Sequence, residues 1–204
     1  MTDKVVIEPK KLLQEYVELY YEPALVNEAI ANNGTIRIKA ILQRADAKNQ
    51  NGRVYPKEIL QREAEKYLNE FVAQRRALGE LDHPESTVVN LKNVSHNVVE
   101  MHWQGDDLVG TLEILDTPSG KIVKDLMRAN IRLGVSSRGV GSVVQLRGES
   151  VEVDDDFSLI CFDIVSNPST QGAFLSEGVQ NALQKAKNDR VSDLVVDFLT
   201  AIDK

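Results

Sequence analysis

The sequence has one cysteine, six prolines, few aromatic residues and no long apolar run. A single thiol excludes an intrachain disulfide framework and suits a reducing compartment. That cysteine, Cys161, stands in the apolar run Leu159–Phe162 and reads as a small core residue. No stretch approaches the ~20 apolar residues a bilayer-spanning helix requires. Residues 1–8 (MTDKVVIE) lack the apolar centre and small-residue cleavage site of a secretory signal, so neither membrane insertion nor export is expected. Positive charge is also short. Lysine and arginine number 24 against 31 acids, a net charge of −7, which argues against nucleic acid as the main partner. Internal repeats and low-complexity tracts are missing too. What remains is a 204-residue chain, long enough for one substantial domain that needs neither disulfide nor metal to be stable.

The pattern along that chain is mixed. Residues 9–21 (PKKLLQEYVELYY) place Leu12, Leu13, Tyr16, Val17 and Tyr20 on one helical face, which predicts a helix. A second short helix is expected over about 23–31, stopped at Asn32-Asn33-Gly34. Residues 35–43 alternate as a strand does, and 49–53 read as a loop. Pro56 opens a helix whose apolar stripe (Leu60, Ala64, Leu68, Phe71) runs to about 76, and a loop follows over 78–87. From Val88 to Leu115 the texture is β, with a turn at 105–107. A helix over about 119–129 leads to a second β region, 131–166, and a helical tail starts near 178. Strands not strictly interleaved with helices argue against a doubly wound parallel sheet. The expected class is α+β: a mainly antiparallel β-barrel core, with helices inserted between strands and at both termini. The expected divisions are an N-terminal helical segment over 1–33, the barrel over 34–177 and a C-terminal helical segment over 178–204.

"IRLGVSSRGVGSV" (131–143) sets two adjacent serines among glycines, an arrangement that weakens an ordinary strand. A serine hydroxyl becomes a nucleophile once a base takes its proton. His83, in the polar loop "GELDHPES", is the natural general base. Strand alternation sends Ser136 and Ser137 to opposite faces, so only one of them can meet that base. Arg138 and Gly139, with backbone amides freed at a strand break, are candidate oxyanion donors. A serine–histidine pair needs a third group to fix the imidazole tautomer. Asp163, in the apolar strand "CFDIV", is the best-placed carboxylate, because an unpaired acid there would be costly. Asp82 is its rival, although neighbouring residues seldom face each other. His96, Glu100 and His102 share parity on one predicted strand and form a candidate zinc site, without a cysteine or HExxH pattern to support it.

Five segments, "NGRVYPKEIL" (51–60), "GELDHPES" (79–86), "VSHNVVEMHWQGDDLVGTLEILDTPSG" (94–120), "GVSSRGVG" (134–141) and "FDIVSNPS" (162–169), occur together and in this order. Over about residues 35–170 the chain therefore resembles the prohead core protein proteases of T4-like tailed bacteriophages, a family related to the herpesvirus assemblins. The resemblance implies a serine endopeptidase with an assemblin-like β-barrel flanked by helices and no cofactor or metal. It assigns the base to His83, the nucleophile to Ser137 because an x-Gly follows it, and the third member to Asp163. Assemblins use a second histidine in that third role, and this chain has none after His102.

The resemblance also implies a setting, the interior of the phage prohead within the host cytoplasm. The implied substrates are scaffold or core proteins and capsid proteins, cut after glutamate in Leu/Ile-x-Glu contexts, along with the protease itself. Leu13-Gln14-Glu15, Leu68-Asn69-Glu70, Leu78-Gly79-Glu80 and Leu175-Ser176-Glu177 fit that pattern. Glu15 and Glu177 flank the expected core and are the self-cleavage candidates. Amphipathic ends suggest a homo-oligomer. The contrasting expectation is a non-catalytic capsid or tube protein on the same fold.

Overall fold

The computed structural model describes residues 5–145 and 151–166, all within one compact unit. The tail expected to be helical from 178, and Glu177 with it, lie outside the described residues. In chain order the elements are β1 (Val5–Leu19), α1 (Pro23–Ala31), β2 (Arg37–Arg44), β3 (Arg53–Val54), α2 (Lys57–Tyr67), β4 (Leu78–Glu80), β5 (Val94–Gln104), β6 (Asp107–Ile114), α3 (Pro118–Arg128), β7 (Leu133–Gln145), β8 (Val151–Val153) and β9 (Ser158–Val165). One π-helical turn, Leu68–Val72, extends α2.

The strands form two sheets. One has the order β1-β7-β8-β3, with β9 also paired to β7; the other runs β2-β6-β5-β4. Most ladders are antiparallel, but β3 and β8 run parallel. Among the described residues, a single parallel bridge from Leu81 to Ile164 joins the sheets. The result is a half-barrel with few helices: the α+β class and the mainly antiparallel pairing expected from sequence are present, and closure into a full barrel is not seen among the described residues. β3, β4 and β8 are only two or three residues long, too short for a continuous ladder around a barrel.

The principal correction is at the N-terminus. Residues 9–19 are not a helix but most of β1, which pairs antiparallel with β7 along its whole length. The strand period runs through Leu13, Glu15 and Leu19, which are buried. The acid in the middle of that set masked the alternation. Its burial is tolerated because Arg53 Nη1 (2.6 Å), Asn51 Nδ2 (2.6 Å) and the Tyr55 hydroxyl (2.8 Å) all donate to Glu15. Pro9 sits where the register slips between Glu8 and Lys11, the kind of irregularity in which a strand accepts proline.

The remaining elements follow local signals. α1 starts at Pro23 and stops before Asn33, whose φ is +49°. α3 is capped by the Thr117 hydroxyl, which accepts from Gly120 N at 3.0 Å. Gly105, at φ +62°, opens the two-residue turn of the β5–β6 hairpin. Between the sheets lies one core containing Leu13, Leu42, Tyr55, Leu60, Tyr67, Leu112, Val135, Phe157, Phe162 and Ile164. Among the described residues no helix is long and apolar enough to cross a membrane.

Candidate active site

The two serines lie in mid-β7, where β1 flanks one side and β9 the other. Alternation sends Ser136 and Arg138 to one face and Val135, Ser137 and Gly139 to the opposite one. Ser137 is level with Phe162 on β9 and Glu15 on β1, so it faces the core. Ser136 is level with Asp163 and shares its face. The resemblance selects Ser137, yet the register sets Ser136 beside the carboxylate. Ser136 is fully buried and its Oγ has no hydrogen-bond partner.

His83 reaches the same face from the loop that follows β4. Asp82 makes this possible: its backbone adopts a left-handed conformation (φ +72°), which aspartate tolerates better than most residues, and its N–H donates to Ile164 O at 2.8 Å. The turn carries the imidazole over β9, and Nδ1 stands 3.5 Å from Asp163 Oδ2 without yet making a hydrogen bond. Asp82 itself points to solvent and plays no part in holding the ring. An imidazole whose Nδ1 faces an aspartate leaves Nε2 for a hydroxyl, the orientation a triad needs.

Asp163 is fully buried and well supported. Its Oδ1 accepts from Glu80 N (3.0 Å) and from Arg138 Nη2 (3.2 Å), while Arg138 Nε lies 3.0 Å from Oδ2, off the line of a hydrogen bond. Arg138 also donates to Glu80 Oε1 (2.9 Å) and Ser86 O (2.8 Å), and its Nε and Nη2 contact Cys161 Sγ at 3.2 and 3.0 Å. A guanidinium committed in this way clamps the acid and does not lend its charge to an oxyanion, which leaves the expected backbone amides as the donors in question. Gly139 stands where the β7–β9 register slips, between Arg138 and Gly139, and a Cβ on it would lie 2.4 Å from the Phe157 ring. Gly134 similarly receives the Tyr16 ring, 1.8 Å from where its Cβ would be. The glycines around the serines thus admit aromatic rings.

Burial first, and then the Asp163 charge, pushes the Cys161 thiol far above its ordinary range, so it stays protonated and is no rival nucleophile. His96 is buried under β9, where its Nε2–H donates to Phe162 O (3.0 Å) and its Nδ1 accepts from the Ser95 hydroxyl (2.9 Å). Burial lowers its pKa from 6.5 to about 4, so it is neutral at pH 7. A bulge between Val98 and Glu100 reverses strand parity, leaving His96 buried and His102 exposed with Glu100. The alternative zinc arrangement is therefore not formed, and among the described residues no three potential ligands cluster.

Sequence reasoning missed Glu80, the fully buried acid that ends β4. The signal was present in "LGELDHP", where an acid stands between apolar residues, the same argument that singled out Asp163. Also missed was Gln14, whose Nε2 donates to Pro84 O (3.4 Å) and links β1 to the histidine loop. Glu15, one of the self-cleavage candidates, belongs to the core face of β1, so a cut there would release part of a paired strand and not the terminal helix expected.

A histidine set against a buried aspartate, with a serine level with that aspartate on the neighbouring strand, is the arrangement a serine-type peptidase uses. Comparison with known proteins agrees. The model of the prohead core protein serine protease family matches residues 8–182, and the chain belongs to that family. It is 34% identical over 161 residues to the prohead core protein protease of Enterobacteria phage T4, covering 76% of this chain and 75% of that one. Among solved structures it is similar to the bacteriophage T4 capsid assembly protease, with a TM-score of 0.67 and 28% identity over 78% of this chain and 99% of that one. The chain is thus a serine peptidase of capsid maturation, and the expectation of a non-catalytic shell protein is set aside.

Proposed function

We propose that the chain works inside the phage prohead as an endopeptidase on core and capsid proteins, through an acyl-enzyme with Ser136 as nucleophile. His83 Nε2 takes the Ser136 proton as Oγ attacks the scissile carbonyl, then returns it to the leaving amine. Asp163 holds the Nδ1–H tautomer and stabilises the imidazolium as it forms. Water then repeats the cycle and releases the acid product. Substrates carry glutamate before the cut bond, in Leu/Ile-x-Glu contexts, and Glu177 remains the self-processing candidate. The observation that carries the assignment is the convergence of His83 Nδ1 on Asp163 Oδ2 at 3.5 Å while Ser136 stands across the ladder from Asp163.

The test is a pair of variants assayed on a Leu-x-Glu peptide and on prohead core protein. Ser136→Ala loses turnover by roughly a million-fold, while Ser137→Ala, a small change on the core face, keeps most of it. The reverse pattern assigns the nucleophile to Ser137 and overturns the reading of the register. Cleavage by both variants removes the serine mechanism.

A further inference from the structure

We infer that Glu80 is a positioning residue for the base, acting through the loop that carries His83; this rests on the triad proposed above. Glu80 is fully buried at the end of β4, one residue before that loop begins. Its backbone N–H donates to Asp163 Oδ1 at 3.0 Å. Its carboxylate reaches in three other directions. Oε1 accepts from Arg138 Nη2 at 2.9 Å and from Asn90 N at 3.0 Å, and Oε2 accepts from Asn93 Nδ2 at 3.1 Å. Glu80 therefore grips the far end of the 81–93 loop as well as adjoining its start. Through Arg138, which donates to Ser86 O, it also holds the middle.

The loop needs such a clasp. Val88 and Leu91 are 71% and 73% exposed, so apolar burial does little to fix it. Its backbone bonds are few: Leu81 N to Asn93 O, Asn93 N to Asn90 O, and Asp82 N to Ile164 O. The catalytic contact it serves is also unfinished, with His83 Nδ1 3.5 Å from Asp163 and not hydrogen-bonded. That separation must close when substrate binds, and the clasp sets how far the imidazole has to travel. Glu80 touches neither His83 nor Ser136. It binds the acid, the acid's counter-ion and both ends of the base's loop into one rigid unit.

The experiment uses the full chain with Glu80→Ala, Glu80→Gln and Asn93→Ala. The readouts are kcat and KM on a Leu-x-Glu peptide, the rate of Ser136 modification by a fluorophosphonate, and Tm. Misplacing a catalytic group by about 1 Å costs about a hundredfold, so Glu80→Ala lowers kcat and the phosphonylation rate by about that factor with KM unchanged. Glu80→Gln keeps an acceptor for Arg138 and Asn90 and recovers to within roughly tenfold of the parent. Asn93→Ala, which removes only the Oε2 contact, lowers kcat severalfold. If Glu80→Ala does not fold, Glu80→Gln and Asn93→Ala carry the test alone. Unchanged kcat per folded molecule, or a loss confined to KM, overturns the inference. Activity persisting in Ser136→Ala overturns the triad reading instead, which separates the two failures.

Discussion

Acid should weaken this fold through His96, and the size of the effect follows from its burial. The native pKa lies near 4 against 6.5 for an ordinary imidazole. Between those values the unfolded chain binds a proton that the native chain refuses. The neutral histidine's contribution is thus complete above pH 6.5 and is lost progressively as pH falls towards 4. A difference of 2.5 pH units at about 1.4 kcal/mol per unit amounts to about 3 kcal/mol. The lone Trp103, packed against the core, reports urea unfolding by fluorescence. Carboxylates titrate over part of the same range, so the informative quantity is the gap between the parent and His96→Gln. At pH 7.5 the variant is the weaker, having lost the fitted ring. On acidification the parent alone suffers the histidine penalty, so the gap closes by about 3 kcal/mol. A gap that stays constant from pH 7.5 to 4.5 would mean that His96 is not held neutral under β9, and the account of its hydrogen bonds would fall with it.

Two further substitutions probe the buried face. Arg138→Met leaves Glu80 and Asp163 buried without their cation and should cost about 3–5 kcal/mol, with Arg138→Lys failing to restore it because an ammonium cannot span both acids; a Tm near the parent's would refute the clamp. Gly134→Ala drives a methyl group into the Tyr16 ring and should cost about 1–3 kcal/mol, relieved by a second change, Tyr16→Ala, in calorimetric scans; an additive loss would show that the ring does not lie there.

Much of the site was legible because its residues stand out chemically. His83 in a polar loop, two serines among glycines and an acid in an apolar strand are each costly unless used, and the structure brings those segments together. What escaped was mostly a matter of which way side chains point. The choice between Ser136 and Ser137 depends on the register of β7 against β9, a long-range pairing that no local pattern encodes. The candidate zinc arrangement, a minor alternative, is ruled out for a related cause, since a bulge after Val98 reverses the parity that spacing alone assumes. β1 read as a helix because Leu12, Leu13, Tyr16, Val17 and Tyr20 fit the helical period while Glu15 interrupts the alternation, and only the mate supplied by β7 decides. That the Arg138 guanidinium is already taken was not legible because all the partners of that side chain, Glu80, Ser86, Cys161 and Asp163, are remote in the chain.

β1 runs beside the strand that bears the serines for twelve paired positions. Cutting the chain after Glu15 would not trim a loose end. It would strip a wall from the sheet and bare a row of peptide groups along β7, ready to zip onto any extended chain nearby. β1 therefore does more than complete a ladder: it covers an edge of β7 that would otherwise stand open to any passing strand.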